Sequence, residues 1–512
     1  MGRLLRSVNE LGYTLRMRLL TLRPPFIRLP LIRLPLIAAA LILNLLMDSA
    51  ARPEEAPDEG VAAALGRIRD AGLSDDWAYR RLADLCDKIG PRMSGSRQAD
   101  AAVEQIAAAL RTSGLNVSLQ PVKVPHWVRG EEQAEMTEYP GRPAGVIQHL
   151  HLTTLGGSVA TPAQGISAQV LVVHSFDELR AREGEARGKI VVFDVPFNET
   201  LAENGRAGTA YGQGVISRAQ GASAAARAGA TAALVRTVGG ANYRLPHTGE
   251  MNYDPKLPKI PTAALSAEDA MWVARLSAEG PVTLHIKLLP QSLPEVESHN
   301  VIADWAGRER PEEVVIVSGH LDSWDLAQGA IDDGAGVASA MGAVHLLQTL
   351  GLHARRTIRF IGWMSEENGS AGGQAYFNLN SATLERQIAA IESDNGAGRP
   401  LGVSAHVLPA ALAQFSPLMA ALSPMGASIL DRREEAGGSD VQYLDAGGVP
   451  TLAPIVDTRT YFDYHHSAAD TLDKVEPDNI RRQVALMAMM AYFVAEMPEA
   501  LPRLPPSKPH VR

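Results

Sequence analysis

The sequence predicts an α/β fold whose parallel strands are buried on both faces, interrupted by an inserted β-rich domain, and three observations predict it. The chain has 512 residues, beyond the usual size of one hydrophobic core, so two folded units are expected. From about residue 297 onward, the uninterrupted apolar runs VVIVSGHLDS, TIRFIGWMSEE, IAAIESDNG and VPTLAPIVD alternate with helix-like segments such as GVASAMGAVHLLQTLG and RQVALMAMMAYFVAEM, the pattern of parallel strands covered by helices. Between about 146 and 290 the texture is different: short apolar strands (AQVLVVHS, GKIVVFDV, TAALVRTV, PVTLHIKLL) are separated by glycines and alanine-rich helical stretches. Hydrophobic residues make up 46% and charged residues 21%, ordinary globular usage. The formal charge of −9 argues against a nucleic-acid partner.

Residues 1–51 read as an export signal or N-terminal anchor. Arginines precede the apolar run from Leu34 to Met47, and small residues Ser49, Ala50 and Ala51 follow. The run is short for a membrane span, which needs roughly 20 apolar residues. Met17 begins a more compact signal of the same kind. The expected location is therefore periplasmic or secreted, with the membrane involved only through this segment if it is retained. Residues 52–64 are acidic and proline-bearing, as in a linker.

A first catalytic segment is expected over 65–145. SDDWAYRRLADLCDKIG offers Ser74 and Asp75 as N-caps and Gly90 as a stop, and DAAVEQIAAALRTSGL reads as a second amphipathic helix ending at Gly114. Cys86 is the sole cysteine, so no internal disulfide can form, and its apolar position marks it as a small buried hydrophobe. The insertion, 146–290, carries no cluster of metal-type ligands. It is expected to be structural or to gate access, leaving any metal set intact if removed. The second catalytic segment spans 291–497, and the proline-rich residues 498–512 read as a disordered tail.

The chemistry is concentrated at strand ends. His320 and Asp322 follow one apolar run, Glu366 and Glu367 the next, and Asp394 the third. In open α/β sheets ligand sites lie beyond the carboxyl ends of the strands. Several strands ending only in Asp, Glu and His is hard to explain by packing, because clustered carboxylates repel and are costly to desolvate. A dication resolves that conflict, and imidazole with carboxylate suits zinc. If two metals share the set, one carboxylate bridges. Asp332 in GAIDDGAGVAS is the candidate, whereas Asp333 beside it suits a helix start. His126 and Trp127 suit a domain junction, and Tyr243 and His247 are candidates to reach the cleft from the insertion.

The blocks SGHLDSWDLAQGAIDDGAG, WMSEENGSAGG, ESDNG and YHHSAADT, with IGPRMSGS and VPHWVRGEE nearer the front, resemble the dinuclear zinc aminopeptidase family (peptidase family M28) and, within it, the carboxypeptidase Q branch. The resemblance covers roughly residues 65–497. It implies a three-layer α/β/α zinc-peptidase (phosphorylase/hydrolase-like) domain with an inserted protease-associated domain, which in this branch shapes access or contacts in a homodimer. It implies two Zn2+ per chain held by His320, Asp332, Glu367, Asp394 and His466, with Asp332 bridging, Glu366 as general base and Asp322 orienting His320. His466 is chosen over its neighbour His465 because it stands four residues before Asp470. The segment SDVQYLDAGG resembles a substrate-lining stretch, which makes Asp440 and Tyr443, together with His465, candidate substrate contacts. Val441 departs from the histidine the family often has there, weakening any direct role for Asp440.

The resemblance implies a zinc exopeptidase acting on short peptides, dipeptides in particular. A catalytically inactive receptor-like homologue would be expected to have broken ligands, and a glutaminyl-cyclase-like acyl transferase would use a similar set. A serine hydrolase is disfavoured: the nearest approach to G-x-S-x-G is NGSAGG at 368–373, where Asn368 replaces the first glycine. No H-E-x-x-H is present for a single-zinc protease.

Overall fold

The computed structural model describes residues 60–240 and 243–509; the export segment expected over 1–51 lies outside them. Among the described residues, no helix is long and apolar enough to cross a membrane.

The first helix, α1 (Val61–Gly72), buries Ala64, Leu65 and Ile68. The expected linker therefore ends before residue 61 rather than at 64, because these apolar residues recur at helical spacing and join the main core. Helix α2 (Trp77–Lys88) starts with Trp77 N donating to Asp75 Oδ1 at 2.8 Å. Ser74 is no cap; its hydroxyl donates back to the Asp70 and Ala71 carbonyls. Cys86 lies on the buried face of α2, and burial pushes its thiol up to about 12. Helix α3 (Arg97–Thr112) is capped by Ser96, whose Oγ accepts from Ala99 N at 3.1 Å.

The main sheet has eight strands: β1 (Asn116–Val128), β2 (Gln291–Trp305), β3 (Arg310–His320), β4 (Arg356–Trp363), β5 (Gln387–Glu392), β6 (Pro400–His406), β7 (Ile429–Arg432) and β8 (Thr451–Val456). Their spatial order is β1-β2-β4-β3-β5-β8-β6-β7. The strands β4, β3, β5 and β8 run parallel at the centre, as the apolar runs require. Alternate residues go to opposite faces. Val315 and Val317 join the core under α1, α2, α3, α4 (Ala335–Thr349) and α5 (Pro477–Glu496), whereas Val314 and Ile316 join Trp363, Tyr376, Val441 and Leu444 on the other side. Three layers result.

A second eight-stranded sheet takes, in spatial order, Gln148–Leu150, Glu132–Glu138, Thr283–Leu288, Ile166–Val173, Ile190–Phe193, Ala232–Arg236, Thr262–Leu265 and Leu152–Thr154. It begins ahead of residue 146, where the change in texture suggested. The reason is that EQAEMTE (132–138) is mostly polar and buries only Ala134 and Met136, so its alternation is easily read as loop. The insertion is also less purely β than expected, since its central strands are parallel and helices Ala207–Arg227 and Ala267–Glu279 accompany them. Chain entry and exit run side by side: Leu289 N donates to Glu131 O at 2.8 Å. Gly130, at φ 70°, is required there because a Cβ would lie 2.0 Å from Leu289 O.

The tail is not disordered over its described residues. Leu501 and Leu504 are buried, Leu504 N donates to Gly448 O at 2.9 Å, and Ser507 N donates to Ala446 O at 2.8 Å. Arg503 donates to Gln387 O at 2.8 Å and to Leu384 O at 3.1 Å. Proline excludes helix and ladder but not docking, and two leucines with one arginine suffice to hold the segment. Leu504→Ala is expected to cost about 2 kcal/mol, measured by denaturant unfolding of the full chain; an unchanged midpoint would mean the tail is not docked in solution.

Candidate active site

Strand register assembles the site. His320, the last residue of β3, pairs with Trp363 at the end of β4, and Ser318 pairs with Glu392 at the end of β5. The segments bearing Glu366 and Glu367, and Asp394, thus leave the sheet beside His320. After Trp363 the chain turns over Glu366–Gly369, with Gly369 N donating to Glu366 O at 3.2 Å and Ser365 at φ 73°. That turn lets two adjacent glutamates serve one site, where an extended strand would point them to opposite faces.

Asp332 lies between two imidazoles. Its Oδ1 is 3.3 Å from His320 Nε2, and its Oδ2 is 3.1 Å from His466 Nε2. Asp394 Oδ1 lies 3.5 Å from His320 Nε2, and Glu367 Oε2 lies 3.1 Å from His466 Nε2. Two groups of possible metal ligands, His320 with Asp332 and Asp394, and Asp332 with His465 and His466, therefore share one carboxylate, and Glu367 meets the second through His466. Donors each about 2.0–2.2 Å from a common zinc in tetrahedral geometry sit roughly 3.4 Å apart, so the residues present fit a pair of divalent cations. Asp332 Oδ2 and Glu367 Oε1 are buried and accept no hydrogen bond, which leaves lone pairs directed into the cluster. His465 also reaches Asp332, with Nε2 at 3.4 Å from Oδ2. Only His466 meets both Asp332 and Glu367. His465 instead stacks on His466, with ring centroids 3.5 Å apart, under Tyr211, Tyr461 and Phe462.

The electrostatics follow from burial of like charges. Burial opposes ionisation of Asp332, yet His465, His320 and His466 around it hold its carboxyl well below the usual range. Burial pushes Glu367 up to about 8 against the pull of His466. Burial likewise raises Glu366, with Asp394 and Asp332 adding and His320 opposing. Glu367 is nearly inaccessible, whereas Glu366 is half-buried.

Asp322 departs from its expected role. The partner of His320 Nδ1 is the Asp322 backbone carbonyl, at 3.0 Å, while the carboxylate Oδ1 stands 3.9 Å away. The carboxylate accepts instead from Ser365 N at 2.7 Å, Glu366 N at 3.1 Å and Glu367 N at 3.3 Å. It fixes the turn that carries both glutamates, because three backbone donors there have no strand partner. Asp333 is bonded to backbone as expected, accepting from His320 N at 3.0 Å and Gly336 N at 3.1 Å; the Asp332–Asp333 peptide is cis.

Asp440 is fully buried, and neither carboxylate oxygen has a hydrogen-bond partner. Burial holds its carboxyl well above the usual range, with Glu392 and Glu366 adding. Tyr443 is also buried. Neither residue, nor His465, lines the cavity of about 710 Å³ described below. Trp127 packs with Met93 and Trp324 where the two sheets meet, donating to Ser158 O at 3.2 Å. Tyr243 is 78% exposed, and His247 is buried.

Sequence reasoning passed over three positioning groups. Arg92, in IGPRMSGS, is fully buried and donates to Leu321 O at 2.8 Å and Gly329 O at 2.9 Å, framing the loop before Asp332. Asp470, used above only for spacing, accepts from Ile331 N at 2.7 Å and Asp332 N at 3.3 Å. Thr248, in the insertion, accepts from His466 Nδ1 at 3.2 Å. The last contact ties His466 to the insertion, which was expected to be separate from the metal set. A backbone carbonyl carries no side-chain signature, so the sequence held no sign of it. A cavity of about 710 Å³ is lined by Ile331 and Asn395, the chain neighbours of Asp332 and Asp394, with Tyr461 and Arg399 from the main domain and Phe197 and Gly240 from the insertion, and by none of the five candidate ligands; the cavity that Asp332, Glu367 and His466 line with Trp324 has only about 10 Å³.

Histidines and carboxylates converging at parallel strand ends around one shared aspartate define a metal-dependent hydrolase. Residues 300–491 match the model for peptidase family M28. The chain is 38% identical to mouse carboxypeptidase Q over 454 residues, 88% of this chain and 93% of that protein. It is likewise 38% identical to human carboxypeptidase Q over 86% of this chain and 90% of that protein. The crystal structure of a peptidase M28 precursor from Shewanella amazonensis superposes with a TM-score of 0.81 at 35% identity, covering 87% of this chain and 99% of that one. A zinc aminopeptidase from Bacillus subtilis shares the fold at a TM-score of 0.60 and 20% identity, over 81% of this chain and 94% of that one. The chain belongs to peptidase family M28.

Asp322→Asn should loosen the Glu366–Glu367 turn, because an amide donor would face backbone donors. Peptidase activity is expected to fall at least about 10-fold, as for other groups that orient metal ligands, with unchanged circular dichroism. Wild-type turnover by this variant would refute the positioning role.

Proposed function

We propose that the protein is an exported, two-zinc exopeptidase that hydrolyses short peptides, dipeptides above all. The observation that carries this reading is Asp332 facing His320 through one oxygen and His466 through the other. In this reading His320, Asp332 and Asp394 hold one zinc, and Asp332, Glu367 and His466 hold the other. The relatives named carboxypeptidase Q, similar along nearly their whole length, support exopeptidase action. The cavity of about 710 Å³ lined by Ile331 and Asn395, beside Asp332 and Asp394 in the chain, is of a size that suits a small ligand.

Zinc held by His320, Asp332, Asp394, Glu367 and His466 would supply a water of lowered pKa and polarise a carbonyl oxygen. Glu366 takes the proton from that water and returns it to the leaving amine. Glu367 is committed to His466 at 3.1 Å, and His466 is the only histidine ion-paired to either glutamate among the described residues, so metal holding falls to Glu367 and proton transfer to Glu366. Asp322 keeps the two in register through their N–H groups. An inactive receptor-like role is disfavoured, because the ligand set and the base are all present and converge. The basic, apolar N-terminal stretch followed by small residues supports export.

Glu366→Gln is expected to keep both zincs and the fold while dipeptide turnover drops about 10²–10⁴-fold. Glu367→Gln should lose zinc together with activity. Elemental analysis beside a dipeptide assay decides, and near-full activity in zinc-loaded Glu366→Gln would refute the base assignment. A panel of dipeptides with blocked amino or carboxyl ends would show which terminus is read. His466→Ala should lower zinc content and activity far more than His465→Ala; the reverse ranking would exchange the two roles.

A further inference from the structure

The insertion reaches the centre of the site through one segment. Thr248 N donates to His466 O at 2.8 Å, and His466 Nδ1 donates to Thr248 O at 3.2 Å, so the two residues are locked by reciprocal backbone and ring hydrogen bonds. A carbonyl can only accept, so Nδ1 carries a proton and the ring is fixed with Nε2 turned toward Asp332 and Glu367. His466 has φ 59°, a left-handed conformation that an L-residue keeps only when its surroundings enforce it. The pairing with Thr248 supplies that enforcement.

Thr248 is in turn held from three sides. Arg218, on the Ala207–Arg227 helix of the insertion, donates through Nη1 to Thr248 O at 3.4 Å and to Tyr211 OH at 2.6 Å, and through Nε to Glu250 O at 3.3 Å. Its Nη1 lies 3.5 Å from His466 Nδ1. Arg218 is buried, and its charge acts on the Glu250 carboxyl nearby. Thr248 Oγ1 donates to Thr154 O at 3.0 Å and accepts from Arg129 Nη2 at 3.3 Å. Arg129 also grips Asp325 on the main domain, with Nε 2.9 Å from Oδ2. Gly249, at φ 139°, lets the guanidinium approach, since a Cβ there would lie 2.4 Å from Arg218 Cζ.

We propose that the insertion is part of the metal centre: Arg218 is a positioning residue that holds the Thr248 carbonyl against His466, so that docking of the insertion sets the affinity of one of the two metal positions. The proposal rests on the two-zinc reading above. The position affected is the one formed by His466, Glu367 and Asp332. The one formed by His320, Asp394 and Asp332 receives no insertion contact shown among the described residues.

The test is a titration of metal-free, full-length protein with buffered zinc. Wild type should take two zincs. Arg218→Ala should weaken one of them about 10–100-fold, the range typical for losing a partner of a metal-bound histidine, and leave the other unchanged. Gly249→Ala, which pushes on the guanidinium without removing it, should show the same selective loss. Arg218→Lys, able to reach only part of the carbonyl set, should fall between. A purely structural role would behave like Leu234→Ala in the core of the insertion, lowering the unfolding temperature of the metal-free protein without discriminating between the zincs. Two zincs at wild-type affinity in both Arg218→Ala and Gly249→Ala, or equal weakening of both positions, would overturn the proposal. A wild-type protein that binds no zinc would overturn the two-metal reading itself.

Discussion

A single buried carboxylate, Asp332, facing an imidazole through each oxygen, is the constraint on which the rest of the site depends. Its backbone is pinned by Asp470, the preceding loop by Arg92, and the following helix is started by Asp333. Each of these holds backbone rather than substrate. Burying so many acids together is unfavourable unless positive charge is supplied. Within the protein that charge comes from His320 and His466, and the lone pairs left on Asp332 and Glu367 mark where more can be accommodated.

Much of this was legible in the sequence, and for a definite reason. The central strands are parallel and covered on both faces, so their residues read as unbroken apolar runs, and whatever polar residue ends each run stands out. His320, Glu366, Glu367 and Asp394 were visible in that way. Asp332 and His466 follow no strand of this kind; Asp333 suited a helix start, which left Asp332, and motif resemblance was needed to choose His466 over His465. The turn that lets Glu366 and Glu367 act together runs through Asn368 and Gly369, residue types that favour turns.

What was not legible involved backbone or long-range partners. Asp322 was expected to orient His320 through its carboxylate; its own carbonyl does so, and the carboxylate turns to the glutamate segment. No spacing rule distinguishes those alternatives. The polar strand Glu132–Glu138 hid the start of the insertion, and the docked residues after Met497 were masked by prolines that suggest disorder. Thr248 acts through a carbonyl, which every residue possesses.

The two crossings between the sheets have a bearing on how such a chain assembles. Leu289 lies against Glu131, so the whole insertion hangs as one long loop between β1 and β2, which are antiparallel neighbours. Closing a loop of that length as random coil would carry an entropic penalty that grows with the logarithm of its length. A unit with its own cores that forms before the neighbouring strands meet brings its ends together and removes most of that penalty. On a ribosome the insertion emerges after β1 and before β2, in the order that lets it act as the clamp for the edge of the sheet.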